Sequence, residues 1–132
     1  MSGYTRSNLK ELEDSAVAFG LSPDLEARFA RDALGCEQTG LSYQRLAPGA
    51  RSTFAHRHGA DEEIYVVLSG SGSARLDDDD VDLGRWDAVR VAPETARAFA
   101  AGPDGLELLA FGTHRPDDTE MLPAPWDEAE AS

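Results

Sequence analysis

Three side chains with metal-ligand chemistry lie close together in the chain: His56, His58 and Glu63. Two neutral imidazoles and one carboxylate form a donor set suited to a first-row divalent metal such as iron, manganese, nickel or zinc. Their spacing decides whether they can meet. In a β-strand alternate side chains share a face, so His56-Arg57-His58 sends both imidazoles the same way. Gly59-Ala60-Asp61 then supplies a turn, and a strand beginning at Glu63 folds back and carries its carboxylate to the two rings. Taken apart, the histidines read as surface or hydrogen-bonded groups, and Asp61-Glu62-Glu63 reads as a solvated turn. Together they read as a site.

Such a site needs strands to hold it, and the sequence supplies them. Strand patterns run from Gly40 to Leu46, Ser52 to His58, Ile64 to Leu68, Ser73 to Leu76, Val81 to Leu83, Ala88 to Val91, Ala96 to Ala101 and Leu106 to Phe111. Between them Ala47-Pro48-Gly49-Ala50, Ser69-Gly70-Ser71-Gly72, Ala92-Pro93-Glu94-Thr95 and Gly102-Pro103-Asp104-Gly105 read as turns. The run Asp77 to Asp80 reads as a hairpin tip kept soluble by charge. A hard-cation loop spaces its oxygen ligands around a glycine bend instead of stacking them. Earlier in the chain Ser22-Pro23-Asp24 offers a helix start, but Leu25, Ala27 and Phe29 alternate with other residues at the period of a strand, which is the reading adopted. Many short strands with closely spaced turns predict an all-β antiparallel barrel or sandwich, with ligands bound inside.

The division of the chain follows. Residues 1–20 form an N-terminal arm, 21–113 the barrel, and 114–132 an acidic, Pro-rich tail expected to be loosely ordered, with Trp126 as an anchor.

The stretch from Gly49 to Gly70 resembles the first motif of the cupin superfamily, G-x5-H-x-H-x3-4-E-x6-G. His56, His58, Glu63 and Gly70 stand at its spacing, while six residues instead of five separate Gly49 from His56. The resemblance implies a jelly-roll β-barrel with His56, His58 and Glu63 as metal ligands. The chemistries it implies include those of dioxygenases, sugar isomerases and sugar epimerases. The region from Trp86 to Phe99 is similar to the second motif, G-x5-P-x-G-x2-H, but Trp86 stands at the first glycine, Ala92 at the proline with Pro93 one place late, Glu94 at the second glycine and Arg97 at the histidine. That histidine is the remaining metal ligand in metal-bearing cupins.

Arg97 cannot replace it, because a guanidinium stays protonated and has no lone pair to donate. At roughly 5 Å from a dication, with an effective dielectric near 20, it is repelled by about 6–7 kcal/mol before other ligands count. Three arrangements stay open. A metal sits on His56, His58 and Glu63 while Arg97 turns away or holds an anionic ligand group. Without metal, Arg97 pairs with Glu63 inside the barrel. In the least favoured, His114 folds back to complete the site. By strand parity Phe54, Tyr65 and Phe99 line the pocket with Arg97. The function classes are then a metal-dependent enzyme of dioxygenase or isomerase type acting on a small polar or anionic metabolite, or a metal-free binding or sensor module with Arg97 as its anion anchor.

Charge narrows the partners. With 12 Lys and Arg against 25 Asp and Glu the formal net charge is −13, a balance that repels nucleic-acid phosphates and anionic lipid headgroups. A lone cysteine, Cys36, excludes an internal disulfide framework, and the first residues contain no apolar signal segment, so a cytoplasmic location is expected. The strand positions Ile64, Val66 and Leu68 face away from the cavity. Together with the first twenty residues they predict a homodimer built by strand or arm exchange.

Overall fold

Two long strands form the frame. The computed structural model describes residues 3–126. In it β4 (Glu63–Leu76) and β7 (Arg97–Thr113) pair antiparallel along both halves, from Glu63↔Gly112 at one end to Leu76↔Arg97 at the other. The glycine clusters at 69–72 and 102–105, expected to be turns, lie inside these strands. Register shifts at Val67/Ser69 and Gly70/Gly72 mark where β4 bends. Gly70 has φ +77°, and a Cβ there would lie 2.0 Å from the carbonyl oxygen of Gly105, so the two bends pack backbone on backbone. Glycine inside a strand marks a corner as readily as an end.

Six shorter strands complete the barrel: β1 (Leu25–Phe29), β2 (Thr39–Leu46), β3 (Phe54–His58), β5 (Asp79–Leu83), β6 (Ala88–Val91) and β8 (Thr119–Pro123). The order is β1-β2-β7-β3-β8, with β4 pairing β5, β6 and β7, in one eight-stranded sheet that curls on itself. This is the all-β antiparallel barrel that the strand pattern predicts, in the jelly-roll form that the resemblance implies. Its core is built from Leu46, Tyr65, Val67, Phe99, Leu106 and Leu108 among others. Parity along β4 holds: Tyr65 and Val67 are buried inside, while Ile64 and its register partner Phe111 stand outside, 38% and 47% exposed. The aspartate run is the β4–β5 hairpin tip, where Arg75 pairs with Asp80.

The arm is tied to the barrel by polar contacts. Asp14 caps α1 (Ser15–Ala18) and its Oδ1 also accepts from the backbone N–H of Ala27, joining the arm to β1. Lys10, Arg28 and Arg45 all reach the buried carboxylate of Glu26. After β1 a single turn, α2 (Arg31–Leu34), ends at Gly35 in the left-handed region. Strand rather than helix wins at 25–29 because pairing with β2 satisfies its backbone through five register positions.

The tail departs from expectation. Instead of lying loose, Thr119–Pro123 forms β8 and pairs with β3 from Phe54↔Pro123 to His58↔Thr119. Pro123 gave no warning, because an edge strand tolerates proline at a position that donates nothing to the sheet. Trp126 does anchor the chain: its indole N–H donates to the Ser52 carbonyl at 2.9 Å, and the ring lies near Arg51 and Arg75. Residues 1–2 of the expected arm and 127–132 of the expected tail lie outside the described residues. Among those described, no helix is long and apolar enough to cross a membrane.

Candidate metal centre

β3 presents His56 and His58, and Glu63 is the first residue of β4. The turn between them is held from the far end of the chain. Asp118 accepts from the backbone N–H of Ala60 and of Asp61, at 3.1 and 2.9 Å. The Asp61 side chain is buried and accepts from the Thr113 hydroxyl, the Arg115 backbone N–H and the Arg115 guanidinium. A turn with so many fixed contacts sets the return path of β4, and hence the place of Glu63, without help from a ligand.

Four groups converge on Glu63 Oε1. His58 Nε2 stands 3.0 Å away and His56 Nε2 3.5 Å away. The Tyr65 hydroxyl donates at 2.6 Å and Arg97 Nη1 at 3.2 Å. Burial is the largest single influence on the Glu63 carboxyl and pushes its pKa up. The hydrogen bonds from His56 and Tyr65 and the charges of His58 and His56 together outweigh it and bring the pKa to about 2. Glu63 is therefore a carboxylate throughout the neutral range. Tyr65 is shifted the other way, well above its usual value, by burial and by the neighbouring Glu63 charge, and stays a hydrogen-bond donor.

The donor set can be tested against a metal. Ligand atoms bound at about 2.1 Å lie about 3.0 Å apart in a right-angled arrangement and about 3.4 Å apart in a tetrahedral one. The two histidine nitrogens stand 3.0 and 3.5 Å from Glu63 Oε1, close to this range, and the three ligand atoms all lie within 4.8 Å of one another. Coordination through Nε2 requires the proton on Nδ1, and for His58 that atom faces Thr119 Oγ1 at 3.3 Å, which can accept it, with the Asp118 carboxylate beyond hydrogen-bond distance at 3.8 Å. His56, His58 and Glu63 thus fit a metal ion. A second group, His58, Asp61 and Asp118, has its carboxylates already engaged in holding the turn.

The centre lies on the wall of a cavity of about 560 Å³ that opens past β1, β2 and β8. Of the residues expected to meet a ligand, Arg97 and Tyr65 contact the Glu63 carboxylate, and Phe99 and Phe54 lie further off. Arg97 has a side chain closed to solvent; its Nη1 faces Glu63, its Nη2 donates to the Ala92 carbonyl at 2.7 Å, and its Nε is buried without a partner among the described residues. Tyr65 and Phe99 pack on each other in the core, ring centroids 4.8 Å apart. Phe54 is 54% exposed at the entry to β3. Parity identifies the face of a strand but not the level along the barrel axis, and none of these four is among the residues lining this cavity. Besides the metal group the cavity is lined by Ser42 and Gln44 of β2, Met121 of β8 and His114. His114 does not join the metal group. Ser42 and Gln44 had a signal available, since both fall on the inward face of a predicted strand. Asp118 and Thr119 had none, because the sequence places them in a tail.

A family model described as "Cupin domain" matches residues 42–111. An uncharacterised protein of Methanocaldococcus jannaschii is 28% identical over 82 residues, 60% of this chain and 66% of that one, so the match spans just under two thirds of this relative. The crystal structure of a cupin protein from Bacteroides fragilis superposes with a TM-score of 0.71 at 24% identity, over 89% of each chain. That of a sugar phosphate isomerase of the cupin superfamily from Silicibacter pomeroyi gives 0.68 at 17% identity, over 94% of this chain and 98% of that one. At these identities the structural likeness speaks for the fold alone. The fold, the matched residues and the strand positions of His56, His58 and Glu63 agree: the chain belongs to the cupin family.

Proposed function

We propose that His56, His58 and Glu63 hold a divalent ion, iron, manganese, nickel or zinc, and that the cavity binds a small polar or anionic metabolite on which that centre acts. One observation supports this above the rest: the Nε2 atoms of both histidines lie within 3.5 Å of the same carboxylate oxygen. A bound dication supplies Lewis acidity, polarising a carbonyl or hydroxyl oxygen of the ligand. The chain's own residues do the rest. Glu63 remains ionised, Tyr65 fixes its orientation, and Ser42 and Gln44 offer neutral hydrogen bonds to ligand hydroxyls across the cavity. Of the two enzyme types, isomerisation is favoured by the likeness to a protein described as a sugar phosphate isomerase. Calorimetric titration of the four metals into chelator-treated protein tests the centre: saturable binding by wild type, lost in His56→Ala, is expected. No saturable binding, or binding indifferent to His56, overturns it.

A second reading is supported by Arg97. Its guanidinium lies against Glu63, where the family's second motif has a histidine, and could serve as the resident cation of a metal-free binding module. In that case Arg97 stabilises Glu63 and does not anchor the ligand, because it does not line the cavity. We further propose a homodimer that covers the outward face around Ile64 and Phe111.

A further inference from the structure

All three histidines of the chain, His56, His58 and His114, border the cavity beside the metal group. Among the described residues, two of its lining carboxylates each have an arginine against them, Glu63 with Arg97 at 3.2 Å and Asp61 with Arg115 at 2.8 Å, while the third, Asp32, is fully exposed and only loosely approached by Arg31 at 3.6 Å. In a chain of net charge −13 this cavity is therefore a neutralised enclave, bordered by imidazoles and by Arg31.

Arg31 is the cation among these that lacks a settled partner. Its Asp32 contact is loose, and the Asp32 side chain is fully exposed, where an ion pair is worth little. The Arg31 Nε is buried with no acceptor among the described residues. Arg97 and Arg115 themselves do not line the cavity, whereas Arg31 does. Gly40 brings Arg31 and His114 together: a Cβ at Gly40 would lie 3.6 Å from His114 Cβ, 3.8 Å from its Nδ1 and 3.9 Å from Arg31 Cδ. The absence of a side chain there leaves the space between them open.

The sheet register gives the scale. Gly40 pairs with Gly112 and Gly112 with Glu63, so two interstrand steps, about 10 Å along the sheet, separate Gly40, beside Arg31 and His114, from the backbone of Glu63. We infer that Arg31 and His114 form an anion subsite at the cavity mouth. It takes the phosphate or carboxylate group of a small bifunctional ligand whose polar end reaches His56, His58 and Glu63. This deepens the proposed function by giving its ligand two poles, and the anion pole can be tested without the metal.

The full-length ¹⁵N-labelled protein, kept in chelator at constant ionic strength, is titrated with inorganic phosphate and separately with acetate while amide shifts are followed. Saturable shifts centred on Arg31, Gly40 and His114 are expected. A stronger response to phosphate assigns a phosphate monoester, and a stronger response to acetate assigns a carboxylate. Arg31→Gln should weaken binding at least tenfold. Asp32→Asn alters only an exposed side chain and should tighten binding two- to threefold by freeing Arg31, which keeps the test decisive even if Arg31→Gln folds poorly. No saturable response to either anion, or affinities in Asp32→Asn and folded Arg31→Gln equal to wild type, overturns the subsite. Because no metal is present, failure of the metal centre leaves this outcome readable.

Discussion

Arg97 and Glu63 form an ion pair at 3.2 Å in which the guanidinium is closed to solvent and the carboxylate one-fifth exposed. Removing Arg97 takes away the guanidinium, the one permanently charged group among the four on Glu63 Oε1, and leaves the carboxylate to Tyr65 and the two imidazoles. Arg97→Ala should therefore destabilise the fold by about 3 kcal/mol at neutral pH, read from urea unfolding midpoints. The carboxyl of Glu63 is depressed in the fold, so its contribution is fully present above its ordinary pKa of 4.5 and fades as pH falls toward about 2. The gap between wild type and Arg97→Ala should narrow over that window. A gap that stays constant down to pH 2 would separate Arg97 from Glu63.

Arg97→His tests the same pair from the metal side. It removes a positive charge and adds a lone pair at the position of the family's second-motif histidine, so metal affinity by calorimetry should rise at least tenfold. An unchanged affinity would mean that Arg97 does not oppose the ion.

Tyr65→Phe removes the hydroxyl that donates to Glu63 Oε1. The carboxylate loses one of the hydrogen bonds that lower its pKa, and carboxyl ¹³C shifts followed through the acid range should show the Glu63 midpoint rising. The stability cost should be about 1–2 kcal/mol.

Glu26, 7% exposed, collects Lys10, Arg28 and Arg45 at the seam between arm and barrel. Burial is the largest influence and raises its pKa, but the hydrogen bonds from the three cations and the Lys10 charge bring it down to about 2. Glu26→Gln should cost about 1–2 kcal/mol near pH 7, allowing for solvent screening around Lys10. A depressed pKa gives stability that is present above 4.5 and lost toward 2, so the variant and wild type should converge there in thermal unfolding.

Phe111→Glu places a charge beside Ile64 on the outer face of β4 and β7. Light scattering should report a dimer for wild type and a monomer for the variant, with circular dichroism unchanged. A monomeric wild type would remove the proposed dimer.

The sequence by itself determined what local periodicity can carry. Alternation placed His56 and His58 on one face of one strand and Tyr65 and Val67 on the inner face of the next, and the motif spacing brought Glu63 back to both imidazoles. Tertiary structure decided what depends on long-range contact. Whether Gly70 ends a strand or bends it was settled by the Gly105 backbone packed against it, far along the chain. Thr119–Pro123 became a strand only because the free edge of β3 accepts it, and Asp118 reached the turn before Glu63 by the same route. Phe54, Tyr65, Phe99 and Arg97 miss the cavity while Ser42, Gln44 and His114 border it. The pleat fixes which way a side chain points; the depth at which the barrel stops being packed and becomes open is set by the curvature and register of the whole sheet.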